Sequence, residues 1–172
     1  MTLFESAPTS SADKAPPTYI LQFDGGSRGN PGPAGIGVTI SDGAGKAVYE
    51  LGEYLGRCTN NVAEYTALVR GLAAAKTIGI RKLLIRADSE LVVRQMNGQY
   101  KVKSPDLKPL FQQAQALIAE ITAAAGAGRG EVKVTHVYRE GNTRADELAN
   151  LAMDAQRKLE PLGPAKPATP AA

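Results

Sequence analysis

The sequence has few of the residues that mark specialised protein classes. Its 172 residues include no Trp, one His and one Cys, and aromatic residues make up only 5%. The lone Cys58 cannot form an internal disulfide, which argues against a disulfide-stabilised secreted scaffold and fits a reducing compartment. No apolar run approaches the roughly 20 residues that a membrane span needs. We therefore expect a cytoplasmic protein without membrane contact, whose core consists of aliphatic side chains.

The chain also lacks a strong charge of either sign. It carries 20 Lys and Arg residues against 17 Asp and Glu residues, a net charge of +3, and its pI is near 9.0. This mild basic excess is compatible with a nucleic-acid partner but does not establish one. The first ten residues have neither a basic nor an apolar segment of the kind that forms a secretory signal.

Most of the 11 prolines lie near the two ends of the chain. Both ends are rich in Ala and Pro and show no hydrophobic periodicity, which is typical of disordered segments. The length suits one domain with a proper core. We predict a disordered leader over 1–17, a single domain over 18–159 and a disordered tail over 160–172.

Hydrophobic periodicity inside the domain predicts an α/β fold. Three strands with short connections form an antiparallel meander, and a long helix that ends at Gly79 then crosses over to a parallel strand. The expected result is a five-stranded mixed sheet, three antiparallel strands followed by parallel strands, flanked by helices. The predicted strands are 19–24, 35–40, 47–55, 82–87 and 131–138, and the later helices are 89–97, 107–125 and 143–158.

Four acidic residues occupy comparable places in this predicted fold. Asp24 and Asp88 follow strands one and four, while Glu64 and Asp146 lie in the opening turns of the first and last helices. In an open α/β sheet, ligands gather where strands end and helices begin. Four neighbouring carboxylates would repel one another without cations, and Mg²⁺ prefers oxygen ligands. Paired metals suit in-line displacement at phosphorus.

Each acid also has a purely structural interpretation, and the residues alone leave these alternatives open. Glu64 and Asp146 could complete capping boxes at the starts of their helices. Asp88 could cap the helix that it precedes. Asp24 could initiate a turn before two glycines.

Four sequence blocks resemble the motifs of type 1 ribonuclease H, in that family's order and over the whole predicted domain. They are Asp24-Gly25-Gly26-Ser27-Arg28-Gly29-Asn30-Pro31-Gly32, Thr59-Asn60-Asn61-Val62-Ala63-Glu64, Ala87-Asp88-Ser89, and Gly141-Asn142 through Ala145-Asp146-Glu147-Leu148-Ala149. The resemblance implies a ribonuclease H-like fold. It also implies an endonuclease that cuts the RNA strand of RNA–DNA hybrids and leaves 5′-phosphate and 3′-hydroxyl ends.

The same resemblance implies site residues and partners. Two Mg²⁺ ions, for which Mn²⁺ can substitute, would be held by Asp24, Glu64, Asp88 and Asp146. No protein partner is implied, and we expect a monomer. Contacts with the hybrid would come from Gly25 and Gly26, from Asn30, Asn60 and Asn61 in the minor groove, and from Arg57 and Thr59 at a phosphate of the DNA strand.

These substrate residues have alternatives as well. The asparagines could be turn-forming residues, above all Asn30 before Pro31, and Arg57 could be a solvated strand end. Two rival functions are a hybrid-binding module that has lost cleavage and a strand-transfer relative such as an integrase core. The presence of all four acids disfavours the first rival, and the Thr59–Glu64 block disfavours the second.

The chain departs from the better-known family members in several places, and it matches a compact branch that lacks the basic helix serving as a substrate handle. Lys101, Lys103 and Lys108 either replace that helix in part or belong to a solvated loop, so we expect weak, salt-sensitive binding. Glu90 stands where many relatives have Gln, and either points away from the substrate or alters that contact.

The catalytic-loop histidine of the better-known members has no obvious counterpart. The only histidine, His136, falls inside a predicted strand. The compact branch has Arg-Glu-Gly-Asn or Arg-Glu-Glu-Asn here, and this chain has Arg139-Glu140-Gly141-Asn142. We expect Arg139 to assist leaving-group or product release, with an ion pair to Glu140 or Asp146 as the alternative.

Overall fold

The computed structural model describes residues 16–124, 126 and 130–162, which form a six-stranded mixed sheet with four helices. The strands lie in the order β5-β4-β1-β2-β3-β6. The elements are β1 (Thr18–Ser27), β2 (Gly32–Ser41), β3 (Ala47–Cys58), α1 (Asn60–Ile78), β4 (Lys82–Ala87), α2 (Glu90–Met96), α3 (Lys108–Ala124), β5 (Glu131–His136), a 3-10 turn (Arg139–Gly141), α4 (Thr143–Ala155) and β6 (Leu159–Leu162).

The predicted meander and crossover are both confirmed. β1, β2 and β3 pair antiparallel in chain order, and β4 joins the other side of β1 in parallel. The parallel ladder runs from Thr18 opposite Lys82 to Phe23 opposite Ala87. Because the residues after this last pair are Asp24 and Asp88, the two acids lie side by side at the end of the β1–β4 ladder.

Helices cover both faces of the sheet. Because successive side chains of a strand point to opposite faces, those of β1 pack alternately against α1 and α4. Leu21 and Phe23 of β1 are fully buried, and Gly71 of α1 lies directly against Leu21. The intervening residues of β1 face the other way, toward α4. Asp24 is one of them, since its cross-strand partner in β2 is Gly37, which lies under the backbone of α4.

Capping side chains define the starts of α1 and α2 near the acids, and a glycine ends α1. Thr59 caps α1, with its Oγ1 accepting a hydrogen bond from the Val62 N–H at 3.3 Å. Gly79 ends the same helix at φ 88°, as its position in the sequence predicted. Ser89 caps α2, accepting from the Val92 N–H at 3.4 Å.

None of the helices within the described ranges is both long and apolar enough to cross a membrane.

The predicted count of five strands is wrong, because β6 adds a sixth. It pairs antiparallel with β3, Leu162 opposite Glu50 and Leu159 opposite Gly52, so residues 160–162 of the predicted disordered tail belong to the sheet. Pro161 is tolerated because β6 is an edge strand. The rest of that tail, 163–172, and residues 1–15 of the predicted leader lie outside the described residues.

Other boundaries also differ from prediction. β1 does not end at Asp24 but continues to Ser27, because its ladder with β2 is longer than its ladder with β4. β5 stops at His136, two residues early. α4 ends at Ala155 rather than near 158, because the next residue, Gln156, takes a left-handed conformation at φ 50°.

Candidate functional site

Three of the four predicted acids converge at one end of the sheet. Carboxylate oxygens of Asp24, Glu64 and Asp88 all lie within 4.8 Å of one another. Asp24 and Asp88 arrive there because each directly follows the last pair of the parallel β1–β4 ladder. The structural alternative for Asp88 is wrong, since Ser89 and not Asp88 caps the following helix.

Glu64 reaches this cluster because α1 begins in direct contact with β1. Gly25 has no side chain at the contact, and a Cβ there would overlap the backbone of Ala63 and the Glu64 nitrogen. Thr59 is the helix cap, so Glu64 lies beyond the position that a capping box requires, and that alternative is wrong. The Oε2 atom of Glu64 is buried and has no hydrogen-bond partner in the described part of the chain.

Asp146 belongs to α4, which covers the face of the sheet opposite to α1, and it lies near Asp24. A Cβ at Gly37 would overlap the Ala145 carbonyl, so α4 lies against the main chain of β2 beside Asp24. Asp146 helps to raise the pKa of Asp24, although its carboxylate is not part of the three-carboxylate cluster. The N-cap of α4 is Asn142, not Thr143, which excludes the predicted capping box for Asp146.

The electrostatics of the cluster show an excess of buried negative charge. Burial, and then the charge of Asp88 and the contact with Asp146, raise the pKa of Asp24 from 3.8 to about 7. Burial, followed by the charges of Asp24 and Asp88, holds the pKa of Glu64 well above its usual range. Converging carboxylates and an unpartnered buried oxygen are the donor set that a hard divalent cation such as Mg²⁺ takes. The residues therefore fit the metal that the sequence implied.

The acids lie in an open cleft of about 540 Å³. Its lining combines the four acids with polar groups and with two arginines, Arg28 and Arg139. This arrangement suits a metal-bridged phosphate better than an apolar ligand. The lining includes Asp24, Gly25, Gly26, Ser27, Arg28, Asn60, Asn61, Glu64, Asp88, Ser89, His136, Val137, Tyr138, Arg139 and Asp146.

The predicted minor-groove residues also hold the cleft together. The Asn60 Oδ1 accepts hydrogen bonds from the Ser27 N–H at 2.8 Å and the Ser27 hydroxyl at 3.1 Å. Asn30 lies outside the cleft lining, and its Oδ1 accepts from the Asn60 N–H at 3.1 Å. Asn61 is exposed in the lining. Asn60 and Asn61 are thus presented to the cleft, while Asn30 ties the β1–β2 loop to α1.

The two glycines after Asp24 differ. The side of Gly25 that would carry a Cβ is filled by α1, whereas a Cβ at Gly26 would lie 3.9 Å from its nearest neighbour, Asn60 Oδ1. Gly26 therefore leaves open space at the surface, and Gly25 is required by packing. Arg57 and Thr59 lie outside the cleft, Arg57 exposed near the end of β3 and Thr59 engaged as the α1 cap.

Arg139 and His136 both line the cleft, on the side formed by the end of β5. His136 is a strand residue, as predicted, and is exposed. Arg139 opens the 3-10 turn. Within the described ranges neither Glu140 nor Asp146 is within ion-pair distance of Arg139, so the structure does not support the ion-pair alternative.

Sequence reasoning missed the residues that hold this turn in place. The Asn142 side chain, only 1% exposed, donates to the Phe23 carbonyl at 2.8 Å. Gln22 donates to the Gly141 carbonyl at 2.5 Å. Both bonds fix the turn to β1 immediately before Asp24. The role of Asn142 could have been suspected from its place in the last motif, but nothing in the sequence marks Gln22.

Glu90 and the lysines near the start of α3, the other departures noted in the sequence, lie outside the cleft. Glu90 does not line the cleft and forms an ion pair with Arg94 at 2.7 Å on the exposed side of α2. This contact supports the interpretation that Glu90 points away from the substrate. Lys101 and Lys108 line a separate groove next to Tyr100, and Lys103 lies in the same connection between α2 and α3.

Comparison with known proteins gives matches over this whole unit. A family described as reverse transcriptase-like matches residues 22–152. A bifunctional protein of Mycobacterium tuberculosis is 45% identical over 137 residues, which are 79% of this chain and 35% of that protein. Ribonuclease HI of Halobacterium salinarum is 43% identical over 77% of this chain and 62% of its own length. The chain thus spans only about a third of the mycobacterial protein's length.

Solved structures agree with these matches. The N-terminal RNase H domain of the mycobacterial protein, solved as a fusion with maltose-binding protein, superimposes with a TM-score of 0.74 at 44% identity, over 81% of this chain and 95% of that one. LC11-RNase H1, solved in complex with an RNA/DNA hybrid, gives a TM-score of 0.73 at 44% identity, over 80% of this chain and 98% of that one.

Proposed function

The chain belongs to the ribonuclease H family, and from that premise we propose that it is a type 1 ribonuclease H that hydrolyses the RNA strand of RNA–DNA hybrids. Support for this substrate comes from a similar protein whose structure holds an RNA/DNA hybrid. The observation that carries the proposal is the convergence of the Asp24, Glu64 and Asp88 carboxylates within 4.8 Å, in a cleft that Asp146 also lines.

In this proposal Asp24, Glu64, Asp88 and Asp146 hold two divalent cations, Mg²⁺ or in its place Mn²⁺. When bound, the cations supply an activated water and stabilise the leaving oxygen of an in-line displacement. The chain's own contribution is to fix the four carboxylates before the cations arrive, through the β1–β4 ladder and the two close helix contacts. We propose products with 5′-phosphate and 3′-hydroxyl ends.

Arg139 is proposed to assist the leaving group or release of the product. It lines the cleft beside the acids, on a turn that Gln22 and Asn142 fix to β1. A guanidinium remains charged at any working pH, so it stabilises developing negative charge but does not exchange protons. Arg139 therefore contributes electrostatic stabilisation and not general acid–base catalysis.

The remaining residues are proposed to contact the hybrid. Asn60 and Asn61 line the cleft and carry groups that hydrogen-bond to 2′-hydroxyls in the minor groove. Gly26 leaves space for close approach of the RNA backbone. Exposed Arg57, next to Thr59, would bind a phosphate of the DNA strand further along. Asn30 would act at the rim of this surface.

The test is cleavage of an end-labelled RNA–DNA hybrid in Mg²⁺ by wild type, Asp24→Asn and Asp88→Asn. Loss of an outer-shell partner of a metal site costs about 10–100-fold, so loss of a ligand should cost at least about 100-fold. Glu120→Gln is the matched control, because that exposed carboxylate is on α3 and pairs with Lys76 in the last turn of α1, at the opposite end of this helix from Glu64. Cleavage that persists in both aspartate variants would refute the assignment.

A binding module that has lost cleavage is the rival proposal. It predicts that wild type shifts the hybrid in a gel but leaves the RNA intact in both Mg²⁺ and Mn²⁺.

We also propose that residues 18–162 form the catalytic unit and that it acts as a monomer. Sedimentation at several protein concentrations checks the latter.

A further inference from the structure

Tyr138 is the most exposed large hydrophobic side chain in the described part of the chain. Its exposed fraction is 78%, against 49% for Tyr100 and 44% for Leu151. The His136 ring meets it edge to face, with centroids 5.6 Å apart and an angle of 78° between the rings. Yet Tyr138 also lines the cleft that contains the four acids. An apolar ring is therefore held in solvent beside the candidate catalytic centre.

The backbone on both sides of Tyr138 is fixed. The Val137 N–H donates to the Ala87 carbonyl at 2.9 Å, one residue before Asp88. The Gly141 N–H donates to the Tyr138 carbonyl at 2.9 Å, which closes the 3-10 turn that begins with Arg139. The ring thus projects from a held main chain and has one aromatic neighbour. A preorganised aromatic surface loses little conformational entropy when it binds a ligand.

We propose that Tyr138, supported by His136, packs against the ribose of the nucleotide next to the scissile phosphate; this rests on the proposed function. The acids determine where that phosphate lies, and Tyr138 lines the same cleft. Bases inside a duplex are paired and stacked on one another, so sugars and phosphates are the groups presented to this wall. The tyrosine ring matches the apolar face of a sugar. The adjacent Arg139 matches a phosphate.

Fluorescence tests this contact directly. The chain has no Trp, so Tyr138→Trp introduces a single indole. In an Asp24→Asn background, where the hybrid remains uncut, anisotropy of a labelled hybrid measures binding and indole emission of an unlabelled sample measures contact. We expect the emission to shift to shorter wavelength, because the exposed indole leaves water, at the hybrid concentrations at which anisotropy reports binding. Leu162→Trp is the control, because it places the indole on β6, at the opposite edge of the sheet from β5.

Binding without a change in the indole emission of the Tyr138→Trp variant, or an equal change in the Leu162→Trp control, would overturn the proposal. The kinetic counterpart uses the otherwise unaltered protein. Covering an exposed aromatic ring on binding contributes enough that Tyr138→Ala should raise KM about tenfold, with kcat almost unchanged. Tyr138→Phe keeps the ring and should retain the wild-type KM.

Two results separate this inference from the proposed function. If wild type binds the hybrid but does not cleave it, the proposed nuclease activity fails, while the emission experiment still decides whether Tyr138 touches the nucleic acid. If wild type cleaves and Tyr138→Ala keeps the wild-type KM, the ribose contact fails and the nuclease assignment stands.

Discussion

The two sides of the cleft are built in different ways. The acidic wall, comprising Asp24, Glu64, Asp88 and Asp146, is positioned by main chains in direct contact. The rim segment, residues 136–139, is exposed apart from half-buried Val137. A hydrogen bond from the Val137 N–H to the Ala87 carbonyl ties it to β4. Just after the segment, two further bonds tie the chain to β1, from Gln22 to the Gly141 carbonyl and from Asn142 to the Phe23 carbonyl.

The difference indicates a division of labour. The acidic wall must keep charged groups together against their mutual repulsion, and only tightly packed elements can do so. The rim segment has no such requirement, since its side chains face solvent until the substrate arrives. Changes in the acidic wall should therefore abolish turnover or folding, while changes in the rim segment should alter binding or the rate of one step.

The strongest way to break the acidic wall without removing an acid is Gly25→Ala. The new Cβ would overlap Ala63 and the Glu64 nitrogen, so α1 must move and take the Glu64 carboxylate with it. We expect a loss of about 1–3 kcal/mol in the free energy of unfolding, as for other overpacked positions, together with a large loss of cleavage. Urea denaturation and the cleavage assay measure the two effects.

Gly26→Ala is the matched control, because its Cβ has open space around it. Its free energy of unfolding should equal that of wild type. A loss of hybrid binding in this stable variant would support close approach of the RNA at Gly26. Equal destabilisation of the two variants would contradict our account of the α1 contact.

In the rim segment, Arg139→Ala should have the largest effect. A charge-assisted hydrogen bond contributes about 1.5–3 kcal/mol, so we expect kcat to fall by about 10–100-fold. His136→Ala should reduce kcat much less. Steady-state kinetics on the same hybrid give the ranking, and the opposite order would refute the role assigned to Arg139.

The charge of the acidic wall should make stability depend on pH in the absence of divalent cations. The pKa of Asp24 rises from 3.8 to about 7, so the folded state holds a proton that the unfolded state releases. This contribution is fully present below about pH 4 and is lost as the pH rises through about 7. Melting temperatures in EDTA should fall across this range, and Mg²⁺ should restore them at the upper end.

Asp24→Asn tests the origin of that dependence. The amide carries no charge at any pH, so the decline in melting temperature should flatten and the response to Mg²⁺ should weaken. A decline that is as steep in the variant as in wild type would place its origin elsewhere.

The smallest effect is expected far from the cleft. Ending the chain after Lys158 removes β6 and exposes the edge of β3, whereas ending it after Leu162 keeps the pairing. We expect the shorter form to melt about 3 °C lower, the change that roughly 1 kcal/mol produces in a domain of this size. Cleavage by the two forms should be equal, since β6 lies at the opposite edge of the sheet from β5.

Local patterns predicted much of the fold and the identity of the acids, because alternation, helix periodicity and Gly79 are local signals. The neighbouring positions of Asp24 and Asp88 also followed from the predicted parallel arrangement of these strands. The close approach of α4 did not, because it depends on Gly37, which is far from Ala145 in the sequence and contacts it only in the fold. β6 was missed because the composition of the tail concealed the pairing of Leu159 and Leu162 with β3.

The capping alternatives could not be resolved from sequence for a related reason. Thr59 and Ser89 were present in the sequence as competent caps, but so were the acids near them. Which group caps a helix depends on where its first turn begins, and the contact of α1 with Gly25 decides that for Glu64.

The parallel ladder of β1 and β4 also sets the spacing between two of the acids. Asp24 and Asp88 follow its last pair, Phe23 and Ala87, and adjacent strands lie about 4.8 Å apart whatever side chains they carry. The core can therefore drift in sequence without altering the interval between these two acids. An engineer who wished to retune the cluster for a larger cation would have to act on Glu64 or Asp146, whose positions depend on how two helices rest on glycines.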